Sequence, residues 1–77
     1  MRVLLLDDGQ LHDVFDVVEI TDTLVRARTP FRFEIGEEMK LRIERDGGTS
    51  DDVVARVRGH VGGPDAITEL ELGEPGT

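Results

Sequence analysis

The stretch MKLRIE, residues 39–44, indicates the fold class more clearly than any other part of the chain. Apolar and charged residues alternate strictly along it, from Met39 to Glu44. Successive side chains of a β-strand point to opposite faces of a sheet, so this alternation is typical of a strand with one buried and one solvated face. The stretch therefore predicts a half-buried β-strand.

The same pattern continues on both sides of this stretch. Downstream, residues 46–48 (Asp-Gly-Gly) predict a turn, after which apolar residues and arginines alternate within residues 53–58. Upstream, Pro30 ends another alternating segment, residues 24–29, because proline cannot donate a hydrogen bond to a sheet. The Asp-Gly pair at residues 8–9 is a strong hairpin signal between the first two apolar runs.

Together these patterns predict an all-β protein. The predicted strands are residues 2–6, 11–20, 24–29, 39–44, 53–58 and 67–72. We find no helical apolar stripe long enough to predict a helix. Six short strands at hairpin spacing favour a small six-stranded antiparallel β-barrel, since closing the sheet removes its exposed edges.

Composition limits the classes of partner and cofactor. The chain has 77 residues, no cysteine and a formal net charge of −8. We expect one domain, residues 1–72, followed by a flexible tail, residues 73–77. Nucleic-acid binding depends on clustered Lys and Arg, so we expect no nucleic-acid partner. The apolar runs are too short to span a membrane and no signal-peptide pattern is present, so we expect a cytoplasmic protein.

Residues of types common in catalytic sites have simpler structural interpretations here. The acidic pairs at residues 7–8, 37–38 and 51–52 resemble catalytic or metal-binding pairs, but strand neighbours point to opposite faces and aspartates favour turns. His12 and His60 lack the further ligands that a metal site needs. No nucleophile, base and orienting group occur together. We therefore expect no enzyme activity, no metal and no cofactor.

From residue 2 to residue 72, the order of strands and turns resembles that of a PilZ domain. Residues 18–30, VEITDTLVRARTP, resemble the family's Asp-x-Ser-x-x-Gly corner and the strand that follows it. Residues 35–43, IGEEMKLRI, resemble its Gly-Glu-containing strand, and residues 55–57 resemble its later Ala-x-Val strand. PilZ domains are six-stranded barrels, many of which bind the bacterial second messenger cyclic di-GMP.

The motifs that bind this nucleotide in the family are altered here. The family's Arg-x-x-x-Arg segment is missing, and Arg2 stands alone where that segment should have just ended. At the corner, Glu19 takes the Asp position, Thr21 the Ser position and Leu24 the Gly position, so the freedom of glycine to adopt a positive φ is lost. If cyclic di-GMP still binds, the resemblance implies that the ligand-binding residues are Glu19, Thr21, Arg26 and Arg28.

The outward arginines have a second interpretation. By alternation, four arginines lie on the solvated face of their strands, where they can form cross-strand ion pairs with the abundant carboxylates. These arginines are Arg26, Arg28, Arg56 and Arg58. We favour ion pairing over a basic ligand site for them.

Apolar residues on both faces of the first two strands are the strongest functional signal. A barrel buries only one face, so the second face predicts a cover: a second copy, a partner protein or a missing segment. The predicted interaction surface comprises Leu4, Leu6, Phe15 and Val17.

This surface leads to a functional hypothesis. We expect a non-enzymatic PilZ-like regulatory or adaptor module that acts through protein–protein contact, in bacterial second-messenger, motility or type IV pilus-related regulation. The alternatives are a cyclic di-GMP receptor with altered motifs and a structural subunit without a ligand.

Overall fold

A computed structural model describes residues 1–62 and 66–73 of the chain. Within these ranges the chain forms seven β-strands and no helix, so no helix there is long and apolar enough to cross a membrane. The strands are β1 (Arg2–Asp7), β2 (Gln10–His12), β3 (Asp16–Ile20), β4 (Leu24–Arg28), β5 (Glu38–Glu44), β6 (Ser50–Val61) and β7 (Ile67–Leu72). The sequence also predicts a turn at the Gly-Gly-Pro-Asp segment, residues 62–65, and most of it lies outside the described residues. All of the predicted tail except Gly73 lies outside them as well.

All strands belong to one antiparallel sheet, in the order β2-β1-β5-β6-β7-β4-β3. The all-β, antiparallel prediction is confirmed, but two details differ. The predicted strand at residues 11–20 is interrupted at Asp13, Val14 and Phe15, which gives seven strands instead of six. The sheet is also not closed into a barrel, because the described residues form no ladder between the edge strands β2 and β3.

The sheet is nevertheless strongly rolled. Its two edge strands are consecutive in the chain and are joined only by Asp13–Phe15, so His12 and Asp16 are four Cα steps, or at most about 15 Å, apart. In a flat sheet, the edge strands of seven would lie roughly 29 Å apart at the usual strand spacing. The radius of gyration of 11.7 Å agrees with the roughly 11.5 Å expected of a compact chain of this length. The link therefore keeps the end of β2 close to the start of β3, across a gap in the sheet that we call the seam.

The inner face of the rolled sheet holds the core. The predicted alternation is confirmed there: Leu41 lies in register with Leu5 on β1 and Val53 on β6, while Leu70 lies in register with Val25 on β4 and Val57 on β6. The buried cluster consists of Val3, Phe15, Val25, Ala27, Met39, Leu41, Ile43, Val53, Ala55, Val57 and Leu70.

Local features explain how a short sheet can roll this tightly. One register shift lies between Val17 and Glu19 on β3, and a second lies between Val57 and Gly59 on β6. Such bulges increase the twist of a strand. The predicted Asp-Gly hairpin is confirmed by positive φ angles of 51° at Asp8 and 77° at Gly9, the backbone of a type I′ turn.

Candidate interaction surface

The corner that resembles the nucleotide-binding motif is held by its own threonine. The Thr21 hydroxyl accepts hydrogen bonds from the backbone N–H groups of Thr23 (3.3 Å) and Leu24 (3.1 Å). The backbone N–H of Thr21 in turn donates to the carbonyl of Leu24 at 2.8 Å. Side-chain to backbone bonds of this kind stabilise tight turns. Thr21 therefore has a structural role in the turn between β3 and β4.

The other residues implied by the resemblance form ion pairs across strands. Arg26 Nε donates to Glu69 Oε2 at 2.8 Å, and its Nη1 lies 3.8 Å from Glu19 Oε1. Arg28 Nη1 lies 3.8 Å from Asp16 Oδ2. The structure thus places Glu19 beside Arg26 on the outer face, with Arg28 two residues further along β4. Both arginines therefore form cross-strand ion pairs, as predicted for arginines on the solvated face.

Arg56 and Arg58 follow the same pattern, so the ion-pair prediction is confirmed for all four arginines. Arg56 Nη2 lies 3.3 Å from Glu38 Oε2, and Arg58 Nε lies 3.8 Å from Glu71 Oε1. Exposed pairs of this kind contribute about 0–1 kcal/mol each, so their main effect is to make the outer face charged and well hydrated.

A cleft of about 900 Å³ lies beside the seam. Of the four ligand residues implied by the resemblance, Arg28 lines this cleft. The other lining residues include Asp13, Asp16, Phe31 and His60. Among the described residues that line it, Asp13 and Asp16 balance the positive charges of Arg28 and Arg32. The cleft therefore does not combine Glu19, Thr21 and Arg26 with Arg28.

His60, which lines this cleft, is held on both sides of its ring. Nε2 lies 2.8 Å from the carbonyl oxygen of Phe33, so it donates the hydrogen bond there. Nδ1 lies 3.1 Å from the Thr68 hydroxyl, which donates to it when the imidazole is neutral. His60 therefore ties the loop before β5 to β6 and β7. Among the described residues, no three His, Asp or Glu side chains converge as metal ligands.

The predicted interaction surface is rearranged in the structure. Phe15 is a core residue, because it belongs to the link across the seam, where strand alternation does not apply. Val17 is half-buried and packs against the same core. Leu4 does lie on the outer face, yet it is buried beside Arg42, its register partner on β5. The aliphatic stem of an arginine can cover an apolar neighbour. Of the four predicted residues, Leu6 is the one left partly open on the outer face.

Leu6 belongs to a row of side chains that the sequence pattern did not reveal as a group. The register pairs Leu11 with Leu6, Leu6 with Lys40, and Lys40 with Val54, across β2, β1, β5 and β6. We call these four residues the outer row. Leu11 and Val54 are exposed, and Lys40 makes no ion pair with any described residue. Val18 on β3 and Val61 on β6 are exposed as well, but neither is a register partner of these residues. The row is therefore where the register brings outward apolar side chains together, beside an outer face that is otherwise rich in ion pairs.

One member of the outer row, Val54, can be recognised from its neighbours in the sequence. It follows Val53, which faces the core, so the run Val53-Val54 breaks the alternation of β6 and leaves an apolar side chain outside. Its position beside Lys40 depends on the register of β5 and β6, which a single sequence does not specify.

One ion pair next to the outer row makes stability depend on pH. Arg42 donates to Asp52 through Nε (2.7 Å) and Nη2 (3.1 Å), and these hydrogen bonds hold the pKa of Asp52 below its ordinary value. Because the folded-state pKa is depressed, this contribution is present at neutral pH and is lost as the pH falls through the lowered value.

We expect Asp52→Asn to reduce the acid sensitivity of the fold. Urea unfolding between about pH 5 and pH 2 should show a smaller loss of stability in this variant than in the wild type. Asp22→Asn removes an exposed carboxylate that makes no ion pair with a described residue, and it serves as the control. Equal pH dependence of Asp52→Asn and the wild type would contradict the assignment.

No protein-family model, no curated protein and no solved structure matches the chain.

Proposed function

We propose that the protein is a non-enzymatic, PilZ-like regulatory module that acts in the bacterial cytoplasm through contact with another protein. Its setting would be second-messenger, motility or type IV pilus-related regulation. The contact surface is the outer row, with Leu11, Leu6 and Val54 as apolar contacts around Lys40. The proposal rests on the contrast between this row and the charged face around it.

The contrast has a physical meaning. On β3, β4 and β7, outward charges such as Arg26 and Glu69 neutralise each other and stay hydrated. On β2, β1 and β6, the outward side chains are the apolar Leu11, Leu6 and Val54. Covering them with another apolar surface lowers the free energy, because it removes apolar area from water. Apolar centres with polar rims are typical of protein contact sites. A nucleotide site at the corner is less favoured, because Thr21 and Arg26 already bind within the protein.

The proposal predicts which face contacts other proteins in the cell. A photo-crosslinking amino acid placed at Leu11, in cells of the organism that makes the protein, should give discrete adducts. The same amino acid at Arg58, on the ion-paired face, should give few. Adducts of equal yield from both positions, or from neither, would contradict the proposal.

A matched pair of valine substitutions sharpens this test. Val54 and Val61 are 47% and 51% exposed, and both lie on β6, but only Val54 belongs to the outer row. In the protein with the crosslinker at Leu11, Val54→Lys should lower the adduct yield about tenfold, since a second cation beside Lys40 that is buried unpaired in a contact costs about 1–3 kcal/mol. Val61→Lys should leave the yield within about twofold of the parent. Equal losses would contradict the assignment of the row.

Calorimetric titration of cyclic di-GMP separates this function from the receptor alternative. We expect no heat of binding. Binding at micromolar strength that is lost in Arg26→Ala would replace the proposed function with a nucleotide receptor.

A further inference from the structure

A second concave surface begins at the outer row and continues to the end of the sheet. This cleft, of about 630 Å³, lies where the end of β1 meets the start of β5. We call it the β1–β5 cleft. Leu6, Lys40 and Val54 of the outer row line it, so it is continuous with the proposed contact surface.

The floor of the β1–β5 cleft is apolar and its rim is acidic. Half-buried or buried side chains form the floor on its inner side, namely Leu5, Phe33 and Met39. The carboxylates at the rim, within the described part of the chain, come from Asp7, Asp8, Glu37 and Glu38. Lys40 is the one cation among the described lining residues.

Most of the rim carboxylates lack a cation within the described part of the chain. Glu38 pairs with Arg56 at 3.3 Å, whereas Asp7, Asp8 and Glu37 make no ion pair with a described residue. This differs from the outer face of β4 and β7, where carboxylates and arginines alternate. The cleft thus combines an apolar floor with uncompensated negative charge.

The backbone fixes where two of these carboxylates are presented. Asp7 ends β1 and Asp8 begins the type I′ turn, in which its positive φ of 51° is a conformation that aspartate tolerates better than most residues. Lys40 forms no ion pair with either carboxylate.

The charge of the whole chain decides between two possible occupants. A second copy would bring another net charge of −8 to an acidic rim, and like charges facing each other across a contact are unfavourable. A basic segment would instead place its cations at the rim and its apolar side chains on the floor. Charge complementarity therefore favours a basic partner over self-association.

We propose that the β1–β5 cleft binds a basic protein segment that presents apolar side chains next to lysine or arginine. This inference rests on the proposed function and names the chemistry of the partner. The apolar floor supplies contact area, and the rim carboxylates supply orientation and selectivity against acidic segments.

The test uses a short blocked peptide of alternating leucine and lysine as the probe, titrated into the full ¹⁵N-labelled chain. We expect amide shifts to concentrate at residues 6–9, 37–40 and 54, and to weaken with added salt. A peptide with glutamate in place of lysine should cause no shifts. Shifts spread over all acidic parts of the surface, or produced equally by the glutamate peptide, would overturn the proposal.

Two double variants with the same charge change separate the cleft from general attraction to an acidic protein. Asp7→Asn with Asp8→Asn keeps a residue type that tolerates the turn and should weaken peptide binding about fivefold, the effect of losing two exposed ion pairs. Asp22→Asn with Asp46→Asn changes exposed carboxylates elsewhere and should weaken it less than about twofold. Equal weakening would overturn the proposal.

Failure of this inference can be told apart from failure of the proposed function. If crosslinking through Leu11 succeeds while the peptide does not bind in the cleft, the contact stands and the basic partner is wrong. If the cleft residues shift with protein concentration in the absence of peptide, the occupant is a second copy and the inference is overturned. If neither crosslinking nor peptide binding occurs, both fail.

Discussion

Replacing Phe15 with alanine is expected to lower the free energy of unfolding by about 3–5 kcal/mol. Phe15 is 7% exposed, and its ring centroid lies 6.0 Å from that of Phe33 in the loop before β5. It also belongs to the link that holds the two edge strands together. The substitution removes a large buried side chain and leaves a cavity at the seam.

Phe31 offers a matched control for this prediction. Its ring centroid lies 6.1 Å from that of Phe33, but the residue is 52% exposed. Phe31→Ala should therefore cost about 1 kcal/mol or less, the contribution of one aromatic pair. Both variants are compared with the wild type by urea unfolding followed by circular dichroism. Equal effects of the two substitutions would show that Phe15 does not fill the seam.

The size of the effect calls for a milder variant as well. A domain of this length is expected to have a total stability of roughly 4–12 kcal/mol, so at the lower end of this range Phe15→Ala would unfold the protein. Phe15→Leu keeps most of the volume and should cost about 1 kcal/mol. It therefore reports on the same position in a protein that still folds.

The second large effect is expected at the centre of the inner face. Leu41 is fully buried on β5 and lies in register with Leu5 and Val53. Leu41→Ala should lower the free energy of unfolding by about 2–5 kcal/mol, because it removes buried methyl groups from between two neighbouring strands.

Ile35 provides the matched control for Leu41. It has the same number of carbon atoms but is 70% exposed in the loop before β5. Ile35→Ala should change the stability by no more than about 0.5 kcal/mol, as measured by the same urea titration. A small effect at Leu41, or a large one at Ile35, would contradict the assignment of the inner face.

These two positions illustrate what the sequence can and cannot predict. Leu41 lies in a strictly alternating strand, so its burial follows from the period of the pattern alone. Phe15 lies in an equally apolar run, yet the strand breaks there and the side chain enters the core from a link. The break depends on which strands form the edges, a property of the whole sheet that local alternation does not carry.

The contact surface shows the same division. Leu6 was predicted to face outward by alternation, and it does. Leu4 shares that face but is buried beside Arg42, since covering by a neighbouring long side chain depends on register. Lys40 and Val54 join Leu6 for the same reason: ladders between distant strands bring them together. The pattern along one strand shows which face of the sheet each side chain occupies. Which side chains form one surface depends also on the register between neighbouring strands.

The strand order also has a consequence for how the chain is made. The strands β5, β6 and β7 pair with one another as consecutive hairpins. By contrast, β1 can pair with β5, and β4 with β7, only after these later strands have been synthesised. A ribosome delivers the N-terminal strands first, so the hairpins β1–β2 and β3–β4 emerge without the neighbours that cover their apolar faces. The sheet becomes continuous only when Ile67–Leu72 has been synthesised, because β7 is the strand that joins β4 and β3 to the rest. Until then, the growing chain exposes the very side chains that later form its core.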